Sequence, residues 1–126
     1  MEPSKDLPFK DLKDKTEDAS AILKAIGNER RLRILCHLAR GEHAVGDLEV
    51  LVGLSQSALS QHLARLREGG LVTTRRSAQT VYYDLKGDTA KTMLAALDGL
   101  FAAEESATGR VSAIGSGGRP PRNAVS

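Results

Sequence analysis

Short hydroxyl and carboxamide side chains gather on one side of residues 55–67. If this segment is a helix, about 100° of rotation per residue gives it one mainly apolar arc, which carries Ala58, Leu59, His62, Leu63 and Leu66. The opposite arc is small and polar, and it carries Gln56, Ser57, Ser60, Gln61, Ala64 and Arg67. Ser and Gln side chains form hydrogen bonds with base edges in the major groove of DNA, which is wide enough for an α-helix. The pattern predicts a recognition helix whose polar arc faces the bases.

The polar and basic residues in and around this helix divide into two candidate roles. Gln56, Ser57, Ser60 and Gln61 are the candidates for base recognition, because a carboxamide matches the edge of adenine. Phosphate contacts set register without specifying sequence, and they suit a second set: Ser55, Arg31, Arg67, Arg75 and Arg76. Arg75 and Arg76 fall on opposite sides of a strand, so we expect one of the two to touch DNA. For each Arg taken alone, a solvated surface charge is the alternative interpretation.

Four helices must position these side chains. Apolar residues recur at helical spacing in four stretches, which cover residues 19–26, 29–39, 45–51 and 56–67. Side chains that cap helices stand just before the second and the fourth of them, at Asn28 and Ser55. Glycines break the pattern between and after the helices, at Gly27, Gly41, Gly53 and the pair Gly69-Gly70. The short third helix, the turn at Gly53 and the long fourth helix form a helix-turn-helix.

The pattern then changes from helical to extended. Residues 71–76 and 80–85 are rich in β-branched and aromatic side chains, with Ser77-Ala78-Gln79 between them as the tip of a hairpin. A last helix is predicted from about Thr89 to Glu104, with its apolar residues on one arc. The predicted fold is therefore mainly α with a small β-hairpin wing, which is the order of a winged helix-turn-helix.

Length and composition set the domain organisation. A chain of 126 residues is long enough for one domain, which we place at residues 16–108. Residues 1–15 are polar and predict a mobile arm, whereas residues 109–126 are rich in Gly, Ser, Pro and Arg and predict a disordered tail. One Cys excludes an internal disulfide, and no apolar stretch resembles a signal peptide or a membrane span. We expect a cytoplasmic protein that does not contact membranes.

With these elements in place, residues 16–104 resemble the ArsR family of bacterial winged-helix repressors. Three segments carry the resemblance: Asn28 to Leu35, Gly53 to Leu63, and Arg75 to Leu85. Within that family, residues 54–63 together with residues 74–83 are similar in particular to the nodulation-gene repressors of rhizobia. The resemblance implies a homodimer that pairs through its first and last helices, sits on an inverted repeat in double-stranded DNA and blocks transcription.

The predicted last helix supports pairing on its own account. Its apolar stripe is as wide as that of a bundle helix, yet a small domain has few elements to cover it, so a second subunit is the natural cover. The side chains expected at the dimer interface are Ile22, Met93, Leu94, Leu97, Leu100 and Phe101.

The metal sites of the family are missing from this sequence. Arsenic and lead sensors of the family that this chain resembles carry a Cys-Val-Cys-Asp-Leu run at the start of the third helix. At the matching positions, residues 44–48, this chain has Ala-Val-Gly-Asp-Leu. Zinc and nickel sensors use Asp and His on the last helix, and residues 89–104 contain no His. We expect neither a metal nor a cofactor.

Cys36 leaves a thiol response open as an alternative function. It matches one of two cysteines in the persulfide-sensing branch of the family, but the second cysteine is absent from the last helix, so the intramolecular bridge cannot form. The interpretation favoured by its place at the edge of an apolar arc is a half-buried packing residue. A one-cysteine switch, in which oxidation of Cys36 alters the dimer, is the other. His62 lies on the apolar arc and is expected to be a core histidine rather than a metal ligand.

The sequence also bears on two other classes of function. Winged helices also serve as protein-interaction modules, and a steep dependence of affinity on salt would separate DNA binding from that role. An enzyme is not expected, because the serines at 55, 57 and 60 have no acid and base partners at suitable spacing and no Gly-rich phosphate loop follows a strand.

Overall fold

A computed structural model describes residues 8–108 of the chain, with side chains as far as residue 105. Six helices and three strands follow one another along this part: α1 Lys10–Lys13, α2 Thr16–Ile26, α3 Glu29–Leu38, β1 His43–Ala44, α4 Val45–Val52, α5 Gln56–Glu68, β2 Val72–Ser77, β3 Thr80–Leu85 and α6 Thr89–Thr108. Among the described residues, 8–90 form one compact unit, and Lys91 begins a second. The predicted class, mainly helical with a winged helix-turn-helix, is confirmed.

Side chains cap the two helices for which the sequence predicts a cap. The Oδ1 atom of Asn28 accepts hydrogen bonds from the backbone N–H groups of Arg30, at 2.9 Å, and Arg31, at 3.1 Å. The Oγ atom of Ser55 accepts from the backbone N–H of Ala58 at 3.2 Å. Each cap satisfies donors that the first helical turn leaves without a partner, so α3 and α5 begin where the sequence places them.

Left-handed glycines end α4 and α5. Gly53 has φ 67° and Gly70 has φ 73°, conformations that cost other residues strain. After Gly70 the chain closes back on the helix, because the backbone N–H of Leu71 donates to the carbonyl of Leu66 at 3.0 Å. The turn at Gly53 connects α4 to α5, and the turn at Gly70 leads directly into the wing.

The sheet has one strand that the sequence analysis did not predict. The strand order is β1-β3-β2, with both pairs antiparallel, so β3 lies between the predicted partner β2 and the two-residue strand β1. His43 pairs with Tyr83 and Ala44 with Tyr82. Two residues are too short to show an alternating pattern, and only the distant partner β3 makes them a strand.

Leucine and isoleucine form the core of the unit that ends at Ala90. Helices α3, α4 and α5 contact one another pairwise and supply most of it. The side chains that are almost wholly removed from solvent are Ile34, Leu35, Leu38, Leu48, Leu59, Leu63, Leu66 and Leu71. The buried side of α5 therefore fixes how its other side faces solvent.

The second unit contains most of the last helix. Helix α6 extends to Thr108, four residues beyond the predicted end at Glu104. Met93, Leu94 and Leu97 are half-buried, whereas Leu100 and Phe101 are 59% and 53% exposed. The helix thus carries large apolar side chains into solvent along its second half.

Helix α1 lies within residues 1–15, the segment predicted to be a mobile arm. The predicted disordered tail at residues 109–126 lies outside the described residues. From residue 8 to residue 108, no helix combines the length and hydropathy needed to cross a membrane.

Candidate nucleic-acid interface

Helix α5 separates its two faces as its sequence predicts. Leu59, Leu63 and Leu66 are at most 2% exposed. The opposite face is open to solvent along its whole length, and its exposed residues are Gln56, Ser57, Ser60, Gln61, Ala64 and Arg67. This face, named here the Ser/Gln face, presents hydroxyl and carboxamide groups to solvent, with Arg67 near its carboxyl end.

A groove runs between the second half of the Ser/Gln face and the wing. Its volume is about 410 Å³, and it is lined by Ser60, Ala64, Arg67, Glu68 and Tyr83. Tyr83 lies on β3, so the wing supplies an aromatic wall and a phenol hydroxyl to the same surface. Tyr83 is not among the residues predicted from the sequence, although alternation along the strand places it on the opposite face from its neighbour Tyr82.

The two arginines of the wing lie on opposite faces of the sheet, as predicted. Val72 is buried and pairs with Leu85, which marks the inner face of β2, and alternation puts Thr74 and Arg76 on that face as well. Thr74 pairs with Tyr83. Arg76 is exposed and shares its face with the groove.

Arg75 is engaged by the protein itself. Its Nε atom donates to Oε2 of Glu42 at 2.6 Å, and its Nη2 atom donates to Oε1 at 2.8 Å. The guanidinium also lies 4.4 Å from the ring centroid of Tyr82, its partner across the strands. The Arg75 hydrogen bond is the main cause that holds the pKa of Glu42 below its usual value, against a smaller effect of burial. Glu42 therefore stays ionised, and its carboxylate occupies the two guanidinium donors of Arg75 that could otherwise bind a phosphate.

Removing that carboxylate should make Arg75 available to DNA. We expect Glu42→Gln to bind duplex DNA of any sequence more tightly and to steepen the plot of log affinity against log salt by up to about one phosphate contact. Fluorescence anisotropy over a salt series measures both quantities. Glu29→Gln is the matched control, since it removes the same charge from the exposed pair with Arg33 on α3. Equal effects from the two substitutions would show that net charge, and not Arg75, is responsible.

Arg31 also directs its guanidinium toward protein groups. Its Nε atom donates to the carbonyl of Ala25 at 2.6 Å, and Nη2 donates to the carbonyl of Lys24 at 3.3 Å. Nη1 lies 3.2 Å from Nδ1 of His62 on α5. Arg31 is predicted from the sequence to contact a phosphate, whereas these three contacts join the end of α2 to α5.

Two expectations about individual side chains need correction. Cys36 is exposed, so its expected half-burial is wrong for the single chain: Ile34, Leu35 and Leu38 fill the core from α3, and Cys36 lies beyond the edge of that face. His62 is half-buried rather than a core residue: on the apolar arc it lies on the side of Ala58, which is also half-buried, while Leu59 and Leu63 are buried.

The remaining histidines lie together near β1. The rings of His37 and His43 are 6.3 Å apart between centroids. Burial lowers the pKa of His37, and the nearby His43 and Arg40 lower it further. Throughout residues 8–108, no three His, Cys, Asp or Glu side chains are grouped so that they could hold a metal ion.

Comparison with known sequences places these features in a family. Residues 28–74, which hold α3, the helix-turn-helix and the start of the wing, match the model described as "Bacterial regulatory protein, arsR family". The chain is 49% identical over 93 residues to the transcriptional activator HlyU of Vibrio cholerae, covering 74% of this chain and 86% of HlyU. It is 51% identical over 85 residues to the nodulation protein NolR of Rhizobium meliloti, covering 68% of this chain and 70% of NolR.

Solved structures agree with the sequence comparison. The transcriptional repressor BigR from Xylella fastidiosa superimposes with a TM-score of 0.70 at 35% identity, over 75% of this chain and 97% of BigR. A homodimeric winged helix-turn-helix DNA-binding domain from Mycobacterium bovis superimposes with a TM-score of 0.65 at 32% identity, over 75% of this chain and 85% of that domain. With half of its aligned residues identical to those of HlyU and NolR, and with the winged-helix fold, the chain belongs to the ArsR family of bacterial regulatory proteins.

Proposed function

We propose that this protein is a transcriptional repressor that binds DNA in a sequence-specific way, as a homodimer on an inverted repeat. The observation that carries the proposal is the Ser/Gln face, which is exposed along α5 while the opposite side of the helix is locked into the core. A face of this width and polarity matches the major groove and its base edges. Since its proposed partner is promoter DNA, we place the protein in the cytoplasm and assign it no enzymatic activity.

The contacts divide by chemistry. Gln56, Ser57, Ser60 and Gln61 read bases. Phosphates on either side of the groove are held by Arg67, at the end of the Ser/Gln face, by Arg76 on the wing and by the backbone around Ser55 at the start of α5. Arg75 contributes only when it leaves Glu42.

The homodimer brings two such helices to one DNA duplex. Two-fold symmetry would place the second α5 in the next major groove, about 34–36 Å away, and this spacing makes the operator an inverted repeat. Support comes from the homodimeric M. bovis domain and from the exposed apolar side chains of α6. The residues that we assign to the interface are Ile22 of α2 and, on α6, Met93, Leu94, Leu97, Leu100 and Phe101.

A charge on the exposed part of α6 tests the dimer. We expect the wild-type protein to sediment as a dimer at micromolar concentration and Phe101→Glu to shift it toward monomer, because a carboxylate would have to be buried between the subunits. Analytical ultracentrifugation measures the change. Val50→Glu on α4 is the control, since Val50 is 82% exposed and lies outside the proposed interface. A wild-type protein that stays monomeric at this concentration contradicts the proposal.

Selection from a random duplex library tests the DNA-binding function directly. We expect the wild-type protein to enrich a palindromic sequence whose half-sites are one helical turn apart, and to repress a reporter that carries this sequence between promoter and gene. Activation of the reporter would support DNA binding and refute the proposed repression. This outcome is relevant because the relative HlyU is named a transcriptional activator. Failure to enrich any sequence would favour a protein-interaction module.

A thiol response is the second candidate, and the exposure of Cys36 favours it over an inert packing role. In this version, oxidation of Cys36 changes the affinity of the dimer for DNA. Treatment with peroxide or polysulfide should then lower affinity for the selected duplex in the wild type and leave Cys36→Ser unchanged. Equal affinity of the wild type before and after treatment would refute it.

A further inference from the structure

The side chain of Arg31 bridges three parts of the DNA-binding unit. Its guanidinium is held at the carboxyl end of α2 by the carbonyls of Ala25 and Lys24, and it reaches His62 in the middle of α5. The backbone N–H of Arg31 is itself part of the Asn28 cap at the start of α3. One residue therefore ties the end of α2 and the first turn of α3 to the recognition helix.

A second observation shows that the end of α2 lies directly against α5. A methyl group on Gly69, which follows the last turn of α5, would lie only 3.0 Å from Cβ of Ala25. The backbone carbonyl of that same Ala25 accepts the shorter of the two backbone bonds from Arg31. The anchor of Arg31 is thus fixed near the carboxyl end of α5, and its contact with His62 lies about two turns earlier along the helix.

The contact between Arg31 and His62 defines the state of the imidazole. A guanidinium has only donors, so Nδ1 of His62 must offer its lone pair and the ring proton must be on Nε2. Protonation would place two cations 3.2 Å apart and abolish the bond. Burial lowers the pKa of His62, and Arg31, Arg30 and Arg65 lower it further, which keeps the ring neutral at neutral pH.

We propose that Arg31 and His62 are positioning residues for DNA recognition, which hold α5 in the orientation that presents the Ser/Gln face to the bases. His62 directly follows Gln61, so a displacement of His62 moves a base-reading side chain. This inference rests on the proposed DNA-binding function. It gives Arg31 a role different from the phosphate contact that its charge suggests.

Arginine substitutions separate positioning from phosphate contact, with the duplex selected by the wild-type protein as the probe. We expect Arg31→Lys and Arg31→Gln to lower affinity alike, by about two- to tenfold, which corresponds to one net hydrogen bond. The slope of log affinity against log salt should stay at the wild-type value in both. A phosphate contact predicts the reverse: near-normal affinity for Arg31→Lys, and a slope smaller by about one contact for Arg31→Gln. Arg33→Gln, on the same helix and paired with Glu29, controls for the lost charge.

Histidine substitutions test whether the two residues act through each other. His62→Gln keeps an acceptor and should bind within about twofold of the wild type, whereas His62→Ala should lose as much as Arg31→Lys. The double variant Arg31→Lys/His62→Ala should lose no more than either single variant, and additive losses would overturn the proposal. His62→Gln also serves if His62→Ala does not fold, which circular dichroism will show.

The pH dependence of folding stability provides a test that needs no DNA. Because the pKa of His62 is lower in the folded protein than in the unfolded chain, its contribution to stability is complete above about pH 6.5 and is lost as the pH falls through its lower folded value. His62→Gln should weaken this acid dependence, while the part due to His37, whose pKa is also lowered, remains. If His62→Gln showed the same pH dependence of stability as the wild type, the contact between Arg31 and His62 would be contradicted.

Nitrogen-15 spectra of the free protein distinguish failure of this inference from failure of the proposed function. At pH 7.5 the ring of His62 should carry its proton on Nε2, and Arg31→Lys should shift the backbone amides of α5. If the wild type selects no duplex yet both results hold, the DNA-binding function is refuted and the link between Arg31 and α5 stands. A proton on Nδ1, or unshifted α5 amides, overturns the link whatever the DNA experiments show.

Discussion

Gln61→Ala should lower affinity for the selected duplex by about 1–3 kcal/mol, which is about five- to 150-fold, and should do so at particular base pairs. Gln61 is exposed on the Ser/Gln face, and its carboxamide can donate to and accept from one adenine at once. The alanine variant loses this pair while α5 keeps its buried leucines. Competition with duplexes substituted one base pair at a time locates the loss, and Gln56→Ala should map to a different position.

Arg76→Gln is the contrasting variant. Its side chain is exposed on the inner face of the wing, so we expect all duplexes to be weakened alike and the salt slope to fall by about one contact. Discrimination between base pairs should remain at the wild-type level. If Gln61→Ala weakened all sequences equally, or if Arg76→Gln changed sequence preference, the division between base and phosphate contacts would be wrong.

Leu63→Ala should destabilise the fold by about 2–5 kcal/mol, a large part of the total stability of a small domain. Leu63 is 2% exposed and belongs to the side of α5 that packs on α3 and α4. The cavity left by alanine removes contacts that hold α5 in place. Urea unfolding followed by circular dichroism, repeated at several protein concentrations because dimerisation adds to stability, measures the loss.

Leu51→Ala is the matched control for that experiment. The same atoms are removed from a leucine on α4 that is 47% exposed, so the cost should be about 0.5 kcal/mol or less. Similar losses at the two positions would mean that burial in the single chain does not decide the contribution of these leucines.

Local signals in the sequence were sufficient for helices α2 to α5 and for the direction in which α5 faces. Asn28 and Ser55 cap helices through atoms within three residues, and Gly53 and Gly70 need only their own backbone angles. The helical periodicity of apolar and polar residues in α5 predicts that Leu63 is buried and Gln61 exposed, as they are in the structure. Each of these features depends on residues close together in the sequence, so the residue types predict it without knowledge of the fold.

Features that depend on distant partners were missed. Strand β1 exists because His43 meets Tyr83, forty positions later in the chain. Arg75 finds its carboxylate 33 residues away, and Arg31 finds His62 at a separation of 31. An arginine looks the same in a sequence whether it awaits a phosphate or binds a neighbouring helix, so its assignment needed the fold. The exposure of Cys36 was missed because the helical arc alone does not show where the packed face ends.

The short strand β1 has a consequence for how the protein would search DNA. It is hydrogen-bonded to the central strand of the wing and is followed without a break by α4, so hairpin and helix-turn-helix are joined at their bases. A wing attached in this way is preorganised, and docking spends little conformational entropy on ordering it. If α5 reads the groove and the wing contacts the DNA backbone, as proposed, both would dock in one rigid-body encounter. A DNA site that fits only one of these two elements would then be rejected, because the hairpin does not adapt to it.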